Sequence, residues 1–180
     1  MRAAAQFLMM LVLGVGALMT AADEDGWYVN GKLVPDDPSR GHDGPFLAHL
    51  ALTDDAERLY EAWNTKPGGV QMPELDEALP GAQVEAIVFF ARCKADASGN
   101  CQIWGLATVT MNGNVVLARD VEVPLYVDQP KPTGLNLGIS EHGVGMRIEV
   151  ASSYRFEIAV TDRVAHRTVN LVRDLKVGSR

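Results

Sequence analysis

From Tyr154 to Asp162 the chain reads YRFEIAVTD, and its residues sort strictly by parity: Tyr154, Phe156, Ile158 and Val160 fall on one side, Arg155, Glu157, Ala159 and Thr161 on the other. Successive side chains of a strand point to opposite faces, so a period of two with one apolar set predicts a strand buried on one face and wet on the other. A half-buried strand needs a second layer to cover it. Val169, Leu171, Leu175 and Val177 are expected to supply the core side of a following strand over 168–177, with a bulge between Leu171 and Leu175, and RVAHR to connect the two.

Earlier segments share the β character. Residues 46–52, FLAHLAL, form a continuous apolar run of the length of a buried strand. VEAIVFFARC and CQIWGLATVTM are rich in β-branched and aromatic residues. The triplet Asn112, Gly113, Asn114 then turns the second of these into VVLARDVEV, and VGMRIEV follows further on. Pro124, Pro130 and Pro132 argue for an edge or a crossover. One helix is expected over 54–64, because Ala56, Leu59, Tyr60 and Trp63 fall on one helical stripe and Asp54 with Glu57 has the spacing of a capping box. Prolines and glycines from Pro67 to Pro80 make the next stretch irregular. Six to eight short strands without interleaved helices predict an antiparallel β-sandwich carrying one short helix, a mainly β fold.

Residues 1–22 have the layout of a secretory signal: Arg2, an apolar run from Phe7 to Met19, then Thr20, Ala21 and Ala22 as a small-residue cleavage site. That run is shorter than the roughly 20 apolar residues a bilayer span requires. No further membrane segment is expected, and the remaining 158 residues are the size of a single domain. Residues 23–45 carry Pro35, Pro38, Gly41, Gly44 and Pro45 and are expected to be an extension or linker, with a small hairpin over 27–34 turning at Asn30 and Gly31. The domain proper is then 46–180. The expected location is the periplasm or the exterior of the cell.

Export bears on the two cysteines. Cys93 and Cys101 enclose the polar turn KADASGN, and in an oxidising compartment such a pair is expected to form a structural disulfide between neighbouring strand ends. The spacing is not the CxxC of a redox pair, and two further ligands for zinc are not in evidence. Asp96, Ser98 and Asn100 alternate as in a calcium loop but without its glycine and distal glutamate, so a polar turn is the better reading. No cofactor and no metal is expected.

The strand and turn pattern over about 83–177 resembles small immunoglobulin-like domains of exported bacterial proteins without assigned activity. The likeness rests on Phe89, Phe90 and Cys93, the turn ending Gly99, Asn100, Cys101, and the stretch from Tyr154 through Val160, Thr161 and Asp162 to Val177. It implies an immunoglobulin-like sandwich and brings no catalytic residues. The cysteine spacing differs from antibody domains, where the disulfide spans a long sequence gap and packs on a tryptophan.

The chain has 16 basic and 23 acidic residues, a balance that argues against nucleic acid, which is bound through a concentrated basic face. Basic residues gather late, and Arg163, His166, Arg167 and Arg173 are the candidate surface patch for an anionic partner. His42, His49, His142 and His166 form no metal or zincin spacing. Neither a nucleophile elbow nor a phosphate loop occurs. Glu141 with His142, or Asp162 with His166, are the nearest approaches to an acid and base pair. The expectation is therefore a non-enzymatic interaction module with a protein partner in the envelope. A small secreted hydrolase with a dispersed site is the alternative. A carbohydrate-binding module is the other, and it would use exposed aromatics such as Trp27, Tyr28 and Tyr126.

Overall fold

The computed structural model describes residues 26–29, 32–65, 75–118, 122–130 and 136–178. The expected signal segment, the Asn30-Gly31 turn and Pro132 lie outside them. The described chain is mainly β, with thirteen strands and one helix. In order these are β1 (Trp27–Val29), β2 (Lys32–Val34), β3 (Arg40–Asp43), β4 (Phe46–Thr53), α1 (Ala56–Thr65), β5 (Glu77–Ala78) and β6 (Gln83–Ala91). After them come β7 (Ile103–Met111), β8 (Asn114–Ala118), β9 (Val123–Tyr126), β10 (Gly138–Ile139), β11 (Val144–Arg147), β12 (Ser153–Asp162) and β13 (Arg167–Val177).

Two sheets face each other. In the first, β6 lies between β4 and the successive short strands β10 and β11, and β3 forms the edge beyond β4. In the second, the order is β5, β13, β12, β7, β8, with β9 also pairing β7. Apart from the parallel pair of β5 and β13, every ladder is antiparallel. The inner faces interdigitate through Phe46, Leu50 and Phe90 from the first sheet and Phe156, Val160 and Leu171 from the second, all buried. Each such side chain withdrawn from water contributes roughly 1.5–3 kcal/mol, and this is the main driving force for the sandwich.

The parity read from YRFEIAVTD holds. Tyr154, Phe156, Ile158 and Val160 are buried, and β12 pairs in unbroken register with β13 and with β7. The bulge expected between Leu171 and Leu175 is absent, because Arg173 takes the intervening inward position, its long side chain reaching out at the sandwich margin. The irregularity lies in the β7 and β8 pairing, between Val109 and Thr110. The strand expected over 115–123 is divided into β8 and β9, which pair with successive parts of β7.

All eight residues of β4 are buried, which requires cover on both of its faces. Phe46, Ala48, Leu50 and Leu52 enter the inter-sheet core, while Leu47 and Ala51 join Ile87, Phe89, Leu59, Trp63 and Trp27 in a second cluster on the outer face. The helix supplies Leu59 and Trp63 to it, with Trp63 edge-on to Phe89 at 5.8 Å. Its N-cap is Asp55, one residue beyond the expected Asp54: the Arg58 amide donates to Asp55 Oδ1 at 3.1 Å.

Part of the expected linker is in the sheet. Residues 40–43 pair with 46–49 around Gly44, whose φ of 55° makes the tight reversal possible. The β1 and β2 hairpin forms as expected, but Trp27, expected to be an exposed aromatic, is 4% exposed and donates from its indole N–H to the Ala48 carbonyl at 3.3 Å.

Candidate functional site

Cys93 and Cys101 are bonded, with Cα atoms 5.9 Å apart. The bond does not clasp neighbouring strands of one sheet, as expected. It joins the end of β6 in the first sheet to the start of β7 in the second, because the chain crosses between layers within these nine residues. Both cysteines are buried, at 2% and 0% exposure.

Several loops are stitched to this corner. Asn136 donates from its side-chain amide to the Cys93 carbonyl at 2.8 Å, and the Cys101 amide donates to Asp128 at 2.9 Å. The fully buried Asp162 accepts from the Lys94 amide at 2.7 Å and from the Val164 and Ala165 amides at 3.0 Å each. Its oxygens thus tie the β12 to β13 turn to the cysteine loop, and they are not presented to His166. Asp96 accepts from the amides of Ser98 and Asn100 and from the Gln102 side chain. The Gln102 bond, followed by those amides, holds its carboxyl below the usual range. This is a polar turn closed on itself. Among the described residues no three of His, Cys, Asp and Glu gather as a metal-holding group.

The candidate patch separates into two places. Arg163, His166 and Arg167 surround the β12 to β13 turn, where His166 takes a left-handed φ of 55°. Arg173 lies six residues further along β13, about 20 Å away at strand spacing. Each arginine meets a carboxylate. Arg163 donates to Glu122 at 2.8 Å, Arg167 to Asp43 at 2.9 Å, and Arg173 to Asp76 at 2.7 Å. The Arg167 bond and the Thr168 amide hold the Asp43 carboxyl below its ordinary value. Isolated surface pairs of this kind add little to stability, and they leave a mixed rather than a purely basic surface.

Trp104, for which the sequence favours core packing or a sandwich edge, lies on the outer face of the second sheet. It points outward from β7 while Ile103 and Gly105 turn inward, and Gly105 has no room for a Cβ because Leu125 lies 2.7 Å from where one would be. The Arg163 guanidinium sits 3.5 Å from the centroid of the Trp104 ring. Leu106 is 38% exposed on the sheet that Trp104 belongs to, two positions along from it. Alternation within QIWGLATV carries that signal, since the buried Ile103 and Ala107 place Trp104, Leu106 and Thr108 on the alternate face by parity.

Glu141 and His142 lie between β10 and β11, and the Glu141 amide donates to the Leu125 carbonyl at 2.7 Å. The aromatics considered for sugar stacking do not share an open face: Trp27 and Tyr28 are buried, and Tyr126 packs edge-on to Phe90 at 5.1 Å. Burial, followed by Asp128 and Glu141, pushes the Tyr126 hydroxyl above its usual range. A shallow open concavity of about 890 Å³ lies at the other end of the molecule, lined by Asp54, Glu77, Leu79, Pro80, Arg147 and Lys176.

No protein-family model matches the chain, and no curated protein matches it. Among solved structures it is similar to the crystal structure of the PmoD soluble domain from Methylocystis sp. (Rockwell), with a TM-score of 0.33 and 10% sequence identity over 76% of this chain and 95% of that one. A superposition this loose carries no argument about fold or chemistry. Among the described residues no helix is long and apolar enough to cross a membrane.

Proposed function

We propose that the protein is an immunoglobulin-like interaction module exported from the cytoplasm, which binds a protein partner in the periplasm or outside the cell. The observation that carries the reading is the Arg163 and Trp104 stack beside exposed Leu106, on a sheet face that no other described element covers. Tryptophan and arginine dominate the energetics of protein interfaces when they meet at a desolvated centre, and a leucine beside them adds apolar area.

Support for the immunoglobulin-like architecture comes from connectivity and from one tyrosine. The chain lays down β4 and β6, crosses to β7 and β8, returns for β10 and β11, and crosses again to β12 and β13. Repeated crossing between two layers is the kind of connectivity that architecture uses, and it supports the reading. Tyr154 lies at the start of β12, and its hydroxyl donates to the Val150 carbonyl four residues upstream at 3.0 Å, the arrangement of a tyrosine corner. A buried disulfide agrees with an oxidising compartment.

The test is crosslinking in the envelope followed by purification. Recovery of one stoichiometric partner, lost with Leu106→Glu while thermal stability is unchanged, is the expected outcome. Turnover of an ester, glycoside or peptide that disappears with a single side-chain change would replace this reading with an enzymatic one.

A further inference from the structure

His49 is a titratable group that nothing above uses. It lies on β4, 6% exposed, with its Nδ1 buried and without a hydrogen-bond partner. Its ring is packed between Trp27, at 6.2 Å and edge-on, and Phe89 at 6.4 Å. Arg40 is its direct cross-strand partner on β3. Trp27 and Arg40 both belong to the N-terminal segment that lies along the edge and outer face of the first sheet.

We propose that residues 27–29 and 32–43 form an acid-releasable strap: protonation of His49, beneath Trp27 and beside Arg40, frees the segment and uncovers the part of the apolar outer face on which Trp27 sits, while α1 stays on the rest. The proposal does not depend on the binding role above.

Electrostatics at this point are one-sided. Arg40 faces His49 from β3, Arg173 from β13, and Asp37 from the strap itself, while Trp27 and Phe89 contribute apolar walls. Asp37 is already committed, accepting from the Ser39 amide and hydroxyl at 2.8 and 2.7 Å and pairing with Arg40. Arg173 is drawn toward the same network through the Ser39 hydroxyl at 3.5 Å. A charge on His49 would therefore enter an apolar pocket beside two cations with no free anion among the described residues, which is a costly placement. Burial first, then Arg40 and Arg173 against Asp37, lowers the histidine from 6.5 to about 4.

The same bonds define what is released. Trp27 is held by the Ala48 carbonyl, Ser39 by the Leu50 amide at 2.7 Å, Pro38 by the Val172 amide at 2.5 Å, and Asp43 by Arg167 and Thr168. With the strap lifted, His49 meets water and recovers its ordinary proton affinity. A group that binds protons more weakly in the closed form stabilises that form fully above about pH 6.5. It loses that contribution as pH falls, until the closed form also protonates near 4. The ratio of open to closed strap should rise about 40-fold between pH 6.5 and 4.5.

Hydrogen exchange of the purified protein reads this directly, corrected for intrinsic rates and under conditions where exchange follows the opening equilibrium. Peptides covering 27–43 should open more by the stated factor over that range while β7 and β12, which among the described residues make no bond to the strap, stay protected, and in His49→Gln the strap should show no such rise. If His49→Gln fails to fold, Arg40→Gln gives the same reading, because removing the flanking cation lifts the closed-form affinity and shrinks the pH effect. The proposal is overturned by a strap that is flat with pH in the wild type, by an equal rise in the variant, or by a rise shared with β7 and β12.

Discussion

The outer faces of the two sheets differ in what lies on them. The face formed by β4 and β6 carries α1, Trp27 and the strap, and buries Leu47, Ala51, Ile87 and Phe89. On the face formed by β7, β12 and β13 no described element lies: Thr108, Glu157, Thr168 and Asn170 stand in or near water, with Leu106 exposed among them. One sheet is the middle layer of three and the other is an outer layer. A covered sheet gains stability from both sides, whereas a bare one keeps a surface that a partner can use.

The largest way to break this contrast is to truncate one side chain to alanine on each face. Phe89→Ala removes a ring from between Trp63 and His49 and is expected to cost about 3–5 kcal/mol in denaturant unfolding. Thr108→Ala or Asn170→Ala should stay within about 0.5 kcal/mol. Similar losses on both faces would mean that the second sheet is covered too.

That difference also governs how much of the fold was legible in the sequence. β12 announced itself because one of its faces is bare, so polar and apolar residues alternate along it. β4 reads as the unbroken run FLAHLAL because both faces are buried, and a run without a period says that a segment is inside but not what covers it. The strap is illegible in the sequence for a related reason. Its prolines and glycines are local signals, and the contacts of Trp27 with Ala48 and of Pro38 with Val172 are long-range ones that no local pattern encodes. The cysteine pair was legible as a bond, but its place between layers depended on β7 leaving the sheet of β6, which spacing does not reveal. Trp104 was present in the alternation of β7, while Arg163, 59 residues later, reaches it only because β12 pairs beside β7.

The next effect concerns the corner where the layers meet. Replacing Cys93 and Cys101 together with serine opens a ring of nine residues and should lower stability by about 2–3 kcal/mol by the loop-closure argument. Because the bond ties β6 to β7, hydrogen exchange in the variant should rise at the ends of these two strands and around Asp162, and less along α1. Loss confined to one sheet would show that the cystine does not couple the layers. Mapping under non-reducing conditions should find the Cys93 to Cys101 bond, and two free thiols would contradict it.

The smallest effect tests whether the bare face is as bare as its exposure implies. Arg163 makes two contacts that anchor it over Trp104, the ring below and Glu122 beside it. A cation over an aromatic at a partly exposed site contributes about 0.5–1 kcal/mol, and an exposed ion pair adds little more. Arg163→Ala should therefore cost about 1 kcal/mol or less, while opening the Trp104 ring to a soluble quencher such as iodide. Trp27 and Trp63 are buried, so quenching gained on the substitution reports on Trp104. A cost near that of Phe89→Ala would place Trp104 and Arg163 in a packed layer rather than on a free surface, and with it the contrast between the two sheets would fail. A small cost with a large gain in quenching leaves a tryptophan that folding scarcely needs, held flat under an arginine on an uncovered sheet.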